Sequence, residues 1–478
     1  MRHIINELAS TTNLEDITLS LGCNSSPWLI IDILKTIKIK ELTIIYNLDE
    51  QKESINSEIA KIKYNENYNI PVVIKFIDRE KEFDEINKDD VQNFVFDAPD
   101  SEKILIEEIE RFKPRQILGV LNGLEFSKYK IWELARKFAD KIYVISWKID
   151  FPDEIMDWNR CKNNNIELSI IFPMYNVEKY LKECIESVIK WQAEFVEFLF
   201  VDDGSPDNCA KIISDYSKKD SRVKLLSKVN GGCASARQYG LEEAKGRYIG
   251  FVDPDDFVDS TMFEKLLSRA IEGSYQISYC GYNEYYENTK TIKRIEDNLY
   301  CPYCFGTYDK AKINELVAYL RVAIWRGIYS RDLIELAKIK FYEDLKRFDD
   351  LPFKVEIFTA ARSVVAVPEH LYYYRLERPG QDVAADDERL YVHFDIFEHL
   401  NDSIIRSASK DVLEYMLICK LHTHMFAIEK LQNQYKKEYI KRAKEDLLSM
   451  MEYRVGMEII GKLGGEADRK FYKKICNG

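Results

Sequence analysis

Two short acidic turns stand out in the middle of this chain, and each follows a run of apolar residues that is typical of a buried strand. The turns are VDDGS, residues 201–205, and VDPDD, residues 252–256. Parallel strands of one sheet end at the same edge, so carboxylates that follow two such strands share one region of the molecule. The pattern predicts a site that binds a nucleotide together with a metal ion.

The two turns belong to a regular alternation of predicted strands and helices. Apolar runs lie over 168–173, 196–201, 223–226 and 247–252, and stretches with helical spacing follow over 177–189, 210–216 and 234–244. Asn176 stands where it can cap the first of these helices. The alternation predicts a mostly parallel sheet with helices on both faces.

Polar and aromatic residues follow all four predicted strands. In open sheets of this kind, ligands bind outside the carboxyl ends of the strands. We therefore expect four loops to line one edge of the sheet. Their residues are Tyr175 and Asn176, Asp202 and Asp203, Lys228 and Asn230, and Asp253 to Asp256.

These residue types suit a sugar nucleotide. The ring of Tyr175 can lie against a base, and the carboxylate of Asp203 can accept a hydrogen bond from a base N–H. Asp253 and Asp255 can hold a divalent cation such as Mn²⁺ or Mg²⁺, which prefers oxygen ligands and neutralises a leaving diphosphate. Pro254 stiffens the turn between them.

Three motifs, in this order, are similar to those of the family 2 glycosyltransferases. SIIFPMYN is similar to the family's first strand and base-binding loop, and VDDGSPDN is similar to its second strand end. NGGCASARQYGLEEAKGRYIGFVDPDDFV is similar to the stretch that contains the family's DXD metal motif. The resemblance covers residues 168–381. It implies a GT-A fold and the transfer of a sugar from a nucleotide donor with inversion at the anomeric carbon.

The resemblance also implies roles for single residues. Asp203 would contact the uracil, Asp255 would bind the metal, and Asp253 would lie near the ribose or the metal. Together with the loop positions, the resemblance gives a donor-binding set of Pro173, Tyr175, Asn176, Glu178, Asp203, Asn230, Arg237, Asp253, Arg375 and Arg378. Either of the last two arginines can be the cation beside the diphosphate, in a segment over 370–381 where Gln381 replaces the family's usual serine.

An inverting transfer needs a base that removes the proton of the acceptor hydroxyl. The family takes this base from the aspartate of an acidic pair, and the run FYEDLKRFDDLPF, residues 341–353, offers two such pairs. DDLPF is the better match, so Asp350 is the predicted base, with Asp349 in place of the usual glutamate. Asp344 is the alternative. The adjacent carboxylate of Asp349 is expected to raise the pKa of Asp350.

Several residues also have purely structural interpretations. Asp202 and Asp203 could form a plain turn, because these residue types populate turns for backbone reasons alone. Asp256 and Asp259 could cap a helix that begins near residue 260. Trp325 lies where the family shapes its acceptor pocket, but a single Trp is more often part of a core.

Composition bears on partners and compartment. Acidic residues exceed basic ones, 81 to 69, which gives a net charge of −12, and nucleic acid is therefore not an expected partner. No apolar run reaches the ~18 residues that span a bilayer, so a lipid-linked acceptor would require peripheral contact with the membrane. The ten cysteines are expected to be reduced thiols in the cytoplasm. The CPYC run, residues 301–304, lacks the βαβ context of a redox site.

The chain is expected to contain three regions. Residues 1–160 form a second doubly wound, Rossmann-like α/β domain of unknown role, without a glycine-rich phosphate turn. Residues 161–384 form the GT-A domain, and residues 385–478 are helical. In the first region, strands are predicted over 16–22, 41–47, 71–77, 92–98, 115–121 and 141–147, and helices over 28–37 and 102–112.

The sequence thus predicts a cytoplasmic, metal-dependent, inverting glycosyltransferase. Its donor would be a UDP-sugar and its acceptor a glycan or glycolipid, and the family resemblance implies bacterial-type surface polysaccharide synthesis. Two alternatives stay open. The chain could bind a nucleotide sugar as a scaffold without turnover, or it could be bifunctional, with a second activity in residues 1–160.

Overall fold

The structure is a computed structural model. It describes residues 166–296, 306–307, 309–378, 385–405 and 408–476, and in the first part of the chain it describes seven strands, one helix and Glu133. The chain divides into two compact units. The first comprises Met1–Asn163 with Ile271–Ser274, and the second comprises Asn164–Ala270 with Tyr275–Gly478.

The first unit contains a seven-stranded sheet. Its strands are β1 (Asp16–Leu21), β2 (Glu41–Tyr46), β3 (Val73–Asp78), β4 (Asn93–Asp97), β5 (Gln116–Asn122), β6 (Lys141–Lys148) and β7 (Phe151–Asp157). The order is β3-β2-β1-β4-β5-β6-β7, with β1 to β6 parallel and β7 antiparallel to β6. This is the strand order of doubly wound sheets, so the predicted class of this domain is confirmed.

One helix of the first unit is described, and it matches its prediction. Helix α1 (Glu102–Phe112) buries Leu105, Ile109 and Phe112, which recur at spacings of four and three and so form one apolar stripe. The predicted helix over 28–37 lies outside the described residues.

The second unit contains a nine-stranded sheet. Its strands are β8 (Leu168–Met174), β9 (Val196–Asp202), β10 (Val223–Ser227), β11 (Tyr248–Phe251), β12 (Phe257–Val258), β13 (Ile277–Tyr286), β14 (Thr291–Ile295), β15 (Gly327–Ser330) and β16 (Val364–Leu376). The order is β10-β9-β8-β11-β15-β13-β16-β12, and β14 pairs with β13. The first four strands of this order are parallel to one another, as the alternation of the sequence predicts.

The helices of this unit cover the sheet and then continue into the C-terminal region. Those connecting the strands are α2 (Glu178–Val188), α3 (Cys209–Ser217), α4 (Cys233–Glu243), α5 (Met262–Glu272), α6 (Lys310–Tyr319), α7 (Arg331–Leu336) and α8 (Asp350–Ala360). The later ones are α9 (Val392–Leu400), α10 (Lys410–Lys430), α11 (Asn433–Ser449), α12 (Met457–Leu463) and α13 (Glu466–Cys476). The predicted helical C-terminal region is confirmed.

The register of the parallel strands brings their carboxyl ends together. Met174 at the end of β8 pairs with Asp202 at the end of β9, and Asp202 pairs with Ser227 at the end of β10. Every residue of β8 and β9 is buried, because the inner strands of a parallel sheet are covered by helices on both faces. The loops after β8, β9, β10 and β11 therefore emerge at one edge.

The C-terminal helices share one hydrophobic core with the sheet domain. Ile171 and Phe251 of the sheet belong to the same buried cluster as Leu417 and Leu421 of α10. Tyr319 at the end of α6 donates a hydrogen bond to the carbonyl of Leu463 at 2.7 Å. Within the residues that the structure describes, none of the helices is long and apolar enough to cross a membrane.

Candidate active site

Asp203, at the end of β9, holds the loop that follows β10. Its carboxylate is buried and accepts hydrogen bonds from Lys228 Nζ at 2.7 Å and from the backbone N–H groups of Gly231 at 2.9 Å and Gly232 at 2.7 Å. Gly232 has φ +95°, a left-handed conformation that only glycine adopts at low cost. The loop is therefore bound to the end of the neighbouring strand by three charge-assisted hydrogen bonds.

The two aspartates of the first acidic turn have different roles. Asp202 Oδ1 accepts a hydrogen bond from the N–H of Ser205 at 3.1 Å, and Gly204 has φ +70°, which is the local turn that this composition allows. Asp203 instead reaches the next loop, and its carbonyl accepts from Asn230 Nδ2 at 2.9 Å. The plain-turn interpretation is thus correct for Asp202 but does not account for Asp203.

Tyr175 and Asn176 form the loop after β8. Pro173 is buried inside β8, in register with Val201, whereas the ring of Tyr175 is 51% exposed beside the edge of the sheet. Asn176 has φ +55°, a conformation that Asn tolerates, and its N–H donates to Ser205 Oγ at 3.3 Å. An exposed ring on a fixed loop provides a surface against which a base can stack.

The prediction that Asn176 caps helix α2 is wrong. The capping position is Val177, and no side chain caps the helix from there. The N–H of Glu178 instead donates to Asp207 Oδ2 at 3.0 Å, and Glu178 Oε2 accepts from the N–H and Nδ2 of Asn208 at 2.7 and 2.8 Å. The carboxylate of Glu178 therefore ties the starts of α2 and α3 together.

The aspartates of the second acidic turn diverge towards three different partners. Asp253 Oδ1 accepts from Arg237 Nη2 at 2.6 Å, and Asp255 forms an ion pair with Arg378. Asp256 accepts from Tyr372 Oη and from the N–H of Arg375, both at 2.7 Å. The side chain of Asp256 therefore bonds to residues of β16 and does not cap a helix.

Asp259 stabilises the turn that precedes α5. Its Oδ1 accepts hydrogen bonds from the N–H of Thr261 at 2.9 Å and from Thr261 Oγ1 at 2.6 Å, just before α5 begins at Met262. These are bonds within a local turn, because Thr261 is not part of the helix.

The second turn carries more negative charge than its surroundings neutralise. Burial raises the pKa of Asp255 and of Asp256, and the carboxylate of Asp253 raises both further, whereas Arg378 lowers that of Asp255. The raised pKa values of Asp255 and Asp256 mark an environment that favours a bound cation. Asp253 and Asp255 offer only oxygen ligands, which suits Mg²⁺ or Mn²⁺.

Among the residues that the structure describes, no three His, Cys, Asp or Glu side chains converge on a metal position. Asp253 and Asp255 would be protein ligands of such a cation, and the other ligands would be phosphate oxygens and water, as is usual for Mg²⁺. The residues present fit such a cation.

The predicted base stands at the start of helix α8. Asp349 is buried and accepts from Arg237 Nη1 at 2.7 Å, and Asp350 is the first residue of the helix. Burial, and next the carboxylate of Asp349, raise the pKa of Asp350 to about 7, while Arg237 acts in the opposite direction. A carboxylate with a pKa near neutrality has the basicity that proton abstraction requires.

Asp344, the alternative base, lies in a different environment. Its side chain is 66% exposed and bonds to Nε2 of His399 on α9 at 2.7 Å. Slight burial opposes the effect, but the hydrogen bond to His399 lowers the pKa of Asp344 below its usual range. The neighbouring Glu343 accepts from Ser235 Oγ at 2.5 Å. The electrostatics therefore favour Asp350 over Asp344 as a base.

The two arginines of the closing segment are not equivalent. Arg375 is buried, its Nε donates to the carbonyl of Asp255 at 2.7 Å, and its terminal nitrogens bond to Glu287 and, at 2.5 Å, to Glu183. Arg375 thus fixes β16 against the acidic turn, and Arg378 is the arginine at the carboxylate of Asp255. Gln381 and the CPYC run lie outside the described residues.

Sequence reasoning missed the side chains that support the acidic turn from β16 and its neighbours. Besides its bond to Asp256, Tyr372 Oη accepts from the N–H of Asp253 at 3.2 Å, and the ring of Trp325 stacks on it with centroids 4.1 Å apart. Trp325 is 6% exposed, as expected for a core residue. Nothing local in the sequence marks Glu183 or Glu287.

Known proteins match the chain in this region. Residues 169–334 match the family described as Glycosyl transferase family 2. The chain is 37% identical over 217 residues to EpsJ, an uncharacterised glycosyltransferase of Bacillus subtilis (strain 168), which covers 45% of this chain and 62% of that protein. It is 31% identical over 179 residues to TuaG of the same organism, a putative teichuronic acid biosynthesis glycosyltransferase, which covers 37% of this chain and 69% of that protein.

Fold and sequence therefore define a class and a family. The predicted mostly parallel sheet is in fact mixed, since only β8 to β11 and the pair β13 and β16 are parallel. A mixed sheet with an acidic turn at the edge of its parallel part is the GT-A type of nucleotide-sugar fold, and the chain belongs to glycosyl transferase family 2. Staphylococcus aureus TarS 1–349 in complex with UDP-GlcNAc shares the fold, with a TM-score of 0.50 and 20% identity over 65% of this chain and 91% of that one. The chain spans 62% of the length of EpsJ.

Proposed function

We propose that the protein is an inverting glycosyltransferase that moves a sugar from a UDP-sugar to a hydroxyl of a glycan or glycolipid in surface polysaccharide assembly. One observation carries the proposal. Arg237 bonds to Asp253 of the acidic turn and to Asp349 beside the candidate base, so the donor side and the acceptor side belong to one network. Relatives named for glycosyl transfer and teichuronic acid synthesis support the same reaction.

The nucleoside would bind across the ends of β8 and β9. Tyr175 offers an exposed ring for stacking, and Asp203 offers a carboxylate for a base N–H. A carboxylate has about four acceptor positions, and three of those on Asp203 are used by Lys228, Gly231 and Gly232. One position is left for the N–H of uracil, which supports a UDP-type donor.

The diphosphate would lie towards the end of β11. Strands β9 and β11 both pair with β8, so their ends are two strand spacings, or about 10 Å, apart. This separation suits a base at one end and phosphates at the other. A divalent cation held by Asp255 and Asp253 would neutralise the charge of the leaving diphosphate. Arg378, which pairs with Asp255, would then be a cation available to the phosphate oxygens.

Asp350 would act as the base. As the acceptor oxygen attacks the anomeric carbon from the face opposite the diphosphate, its proton passes to Asp350 and the bond to the UDP oxygen breaks. The carboxylate of Asp349, which is paired with Arg237, raises the pKa of Asp350. The reaction forms one glycosidic bond and releases UDP and a proton.

The test is donor turnover across UDP-, GDP- and TDP-sugars, with Mn²⁺, with Mg²⁺ and with excess EDTA. We expect turnover of a UDP-sugar that needs the metal, and an inverted anomeric product by NMR. Asp350→Asn should abolish turnover while UDP binding is kept, and Asp344→Asn is the matched control that should retain turnover. Full turnover by Asp350→Asn would remove this residue from the mechanism, and UDP binding without any turnover would indicate the scaffold alternative.

A further inference from the structure

A cavity of about 280 Å³ lies between the loop ahead of α8 and the C-terminal helices. It is distinct from the edge of the sheet where the donor is proposed to bind. Residues from the loop, from the start of α9 with its preceding turn, and from α11 line it: Lys346, Arg347, Glu388, Arg389, Tyr391, Val392, Asp395 and Arg442.

The lining is strongly cationic. Four of its eight residues are basic, namely Lys346, Arg347, Arg389 and Arg442, and two are acidic. In a chain whose formal net charge is −12, a cavity with a surplus of two positive charges is a local reversal of sign. Clefts lined by one sign of charge concentrate ligands of the opposite sign.

Aromatic rings and an acid support the arginines of the helical side. The guanidinium of Arg442 lies over the ring of Phe394, 4.2 Å from its centroid, and 5.7 Å from that of Tyr391. Arg389 Nε donates to Asp387 Oδ1 at 2.6 Å. Stacking and ion pairing of this kind limit the rotamers of long side chains and so pre-organise a binding site.

The cavity is connected to both halves of the candidate active site. Lys346 Nζ donates to the carbonyls of Gly231 at 3.1 Å and Glu343 at 3.2 Å, and Gly231 belongs to the loop that Asp203 holds. Arg347 precedes the candidate base Asp350 by three residues, so their backbones are at most about 11 Å apart. An anion in the cavity would therefore lie beside the acceptor end of the reaction.

We infer that this cavity binds a phosphate mono- or diester of the acceptor. The inference rests on the proposed function, since it supplies the substrate class for the same reaction. Arginine guanidinium groups match phosphate oxygens with two parallel hydrogen bonds, and three arginines with a lysine are more than a neutral sugar needs. The donor's own diphosphate has a separate cation in Arg378 at Asp255. The acceptor is thus a phosphate-bearing glycan or glycolipid.

Binding is measured by calorimetry in saturating UDP, so that phosphate probes do not enter the donor site. The probes are glycerol 3-phosphate, inorganic phosphate and, for comparison, glucuronate. The test variant is Arg347→Gln with Arg442→Gln, two lining residues, and it keeps Lys346, which contacts the loop held by Asp203. The matched control, Lys437→Gln with Lys441→Gln, removes the same charge from exposed positions of α11. Circular dichroism and the melting temperature verify the fold of both variants.

We expect glycerol 3-phosphate to bind the wild type and the control alike, and to bind the test variant at least roughly tenfold more weakly, the effect of one lost charged hydrogen bond. Equal binding by wild type and test variant, or none by the wild type, would overturn the inference. Equal affinity for glucuronate would overturn the phosphate assignment. Binding to phosphatidylglycerol vesicles is compared in the same way. If the test variant lost vesicle binding but bound glycerol 3-phosphate as the wild type does, the cavity would be assigned to a membrane surface instead.

Failure of this inference is separate from failure of the proposed function. UDP-sugar turnover by the wild-type protein tests the function without any phosphate-bearing acceptor. Turnover together with equal phosphate binding by wild type and test variant would leave the transferase proposal standing and remove the acceptor assignment. In transfer assays the test variant should show a raised KM for a phosphorylated acceptor and no such rise for its dephosphorylated form.

Discussion

Arg237 and Asp349 form a buried ion pair with 2.7 Å between Nη1 and Oδ2, although 112 residues separate them in the sequence. The other terminal nitrogen of Arg237 binds Asp253. One guanidinium thus joins helix α4, the acidic turn after β11 and the start of α8. Because Asp350 follows Asp349 directly, the position of the candidate base depends on this arginine.

Replacing Arg237 by Gln should destabilise the fold and disturb the base. It leaves the buried carboxylate of Asp349 without its counter-ion, and breaking a buried pair from one side costs about 3–5 kcal/mol. Arg237→Lys lacks the planar guanidinium that bridges two carboxylates, so it should also destabilise the protein. Because it keeps the positive charge, its loss of stability should be smaller than that of Arg237→Gln. Urea unfolding curves give the free energies. A double-mutant cycle with Asp349→Asn should show a coupling above about 0.5 kcal/mol, and strict additivity would contradict the bridge.

The pH dependence of turnover should report the raised pKa of Asp350. With a pKa of about 7, the base is mostly protonated below neutrality. The acidic limb of kcat/KM should therefore fall about tenfold per pH unit below roughly pH 7. Removing the positive charge of Arg237, which lowers this pKa, should move the limb to higher pH. A limb near pH 4 in the wild type would contradict the assigned environment.

The same carboxylate should make the protein less stable at alkaline pH. The pKa of Asp350 is raised from 3.8 to about 7 in the folded state, so between these values the folded chain binds more protons than the unfolded chain. The stability linked to this proton is present below pH 4 and is lost as the pH rises through 7. Asp350→Asn should therefore raise the free energy of unfolding at pH 8, by about 1–3 kcal/mol. An unchanged free energy of unfolding at pH 8 would contradict the raised pKa of Asp350.

Much of the fold could be predicted because buried parallel strands are continuous apolar runs. A strand predicted over 196–201 is Val196–Asp202, and a helix predicted over 210–216 is Cys209–Ser217. The strand ends one residue later than predicted, and the helix is one residue longer at each end. The strand cannot extend much further, because turn-forming residues such as Gly204 follow it. That the loops after β8, β9, β10 and β11 share one edge of the sheet followed from the same pattern.

The pairing of side chains could not be predicted in this way. The bonds of Arg237 to Asp349 and of Arg375 to Glu183 join residues 112 and 192 positions apart, and no local pattern marks such partners. Asn176 shows a related failure. A residue type that favours capping instead adopts a positive φ, because Asp207 from the loop before α3 already binds the first N–H of α2. Tertiary contacts decided both cases.

Gly232 should be irreplaceable in the loop that Asp203 holds. An alanine at φ +95° costs about 1–2 kcal/mol of backbone strain, and relieving that strain would rotate the N–H away from Asp203 Oδ2. Gly232→Ala should weaken UDP binding, measured by calorimetry, and lower the melting temperature. Gly461→Ala is the control, since a Cβ there meets nothing within 4 Å and helix α12 should gain about 0.5–1 kcal/mol. Unchanged UDP affinity in Gly232→Ala would separate this loop from the donor site.

Asp446 should be essential for the packing of the C-terminal helices. On α11 it accepts from Lys420 Nζ at 2.6 Å and bonds to His424 Nε2 at 2.9 Å, and both partners are completely buried on α10. Although burial opposes the effect, these two partners lower the pKa of Asp446. The stability linked to its charge is therefore present above pH 4 and is lost as the pH falls below that value.

Asp446→Asn should destabilise the protein by about 3–5 kcal/mol, because it leaves the ammonium group of Lys420 buried without a counter-ion. The neighbouring Glu445→Gln is the matched control, since Glu445 is exposed on the same helix and surface substitutions change stability by less than about 0.5 kcal/mol. Urea midpoints at pH 7 compare the two variants. Lys420→Met added to Asp446→Asn should recover much of the loss, because an apolar side chain in that position carries no charge to bury. Equal midpoints for Asp446→Asn and Glu445→Gln would show that the ion pair contributes nothing to the packing of α10 against α11.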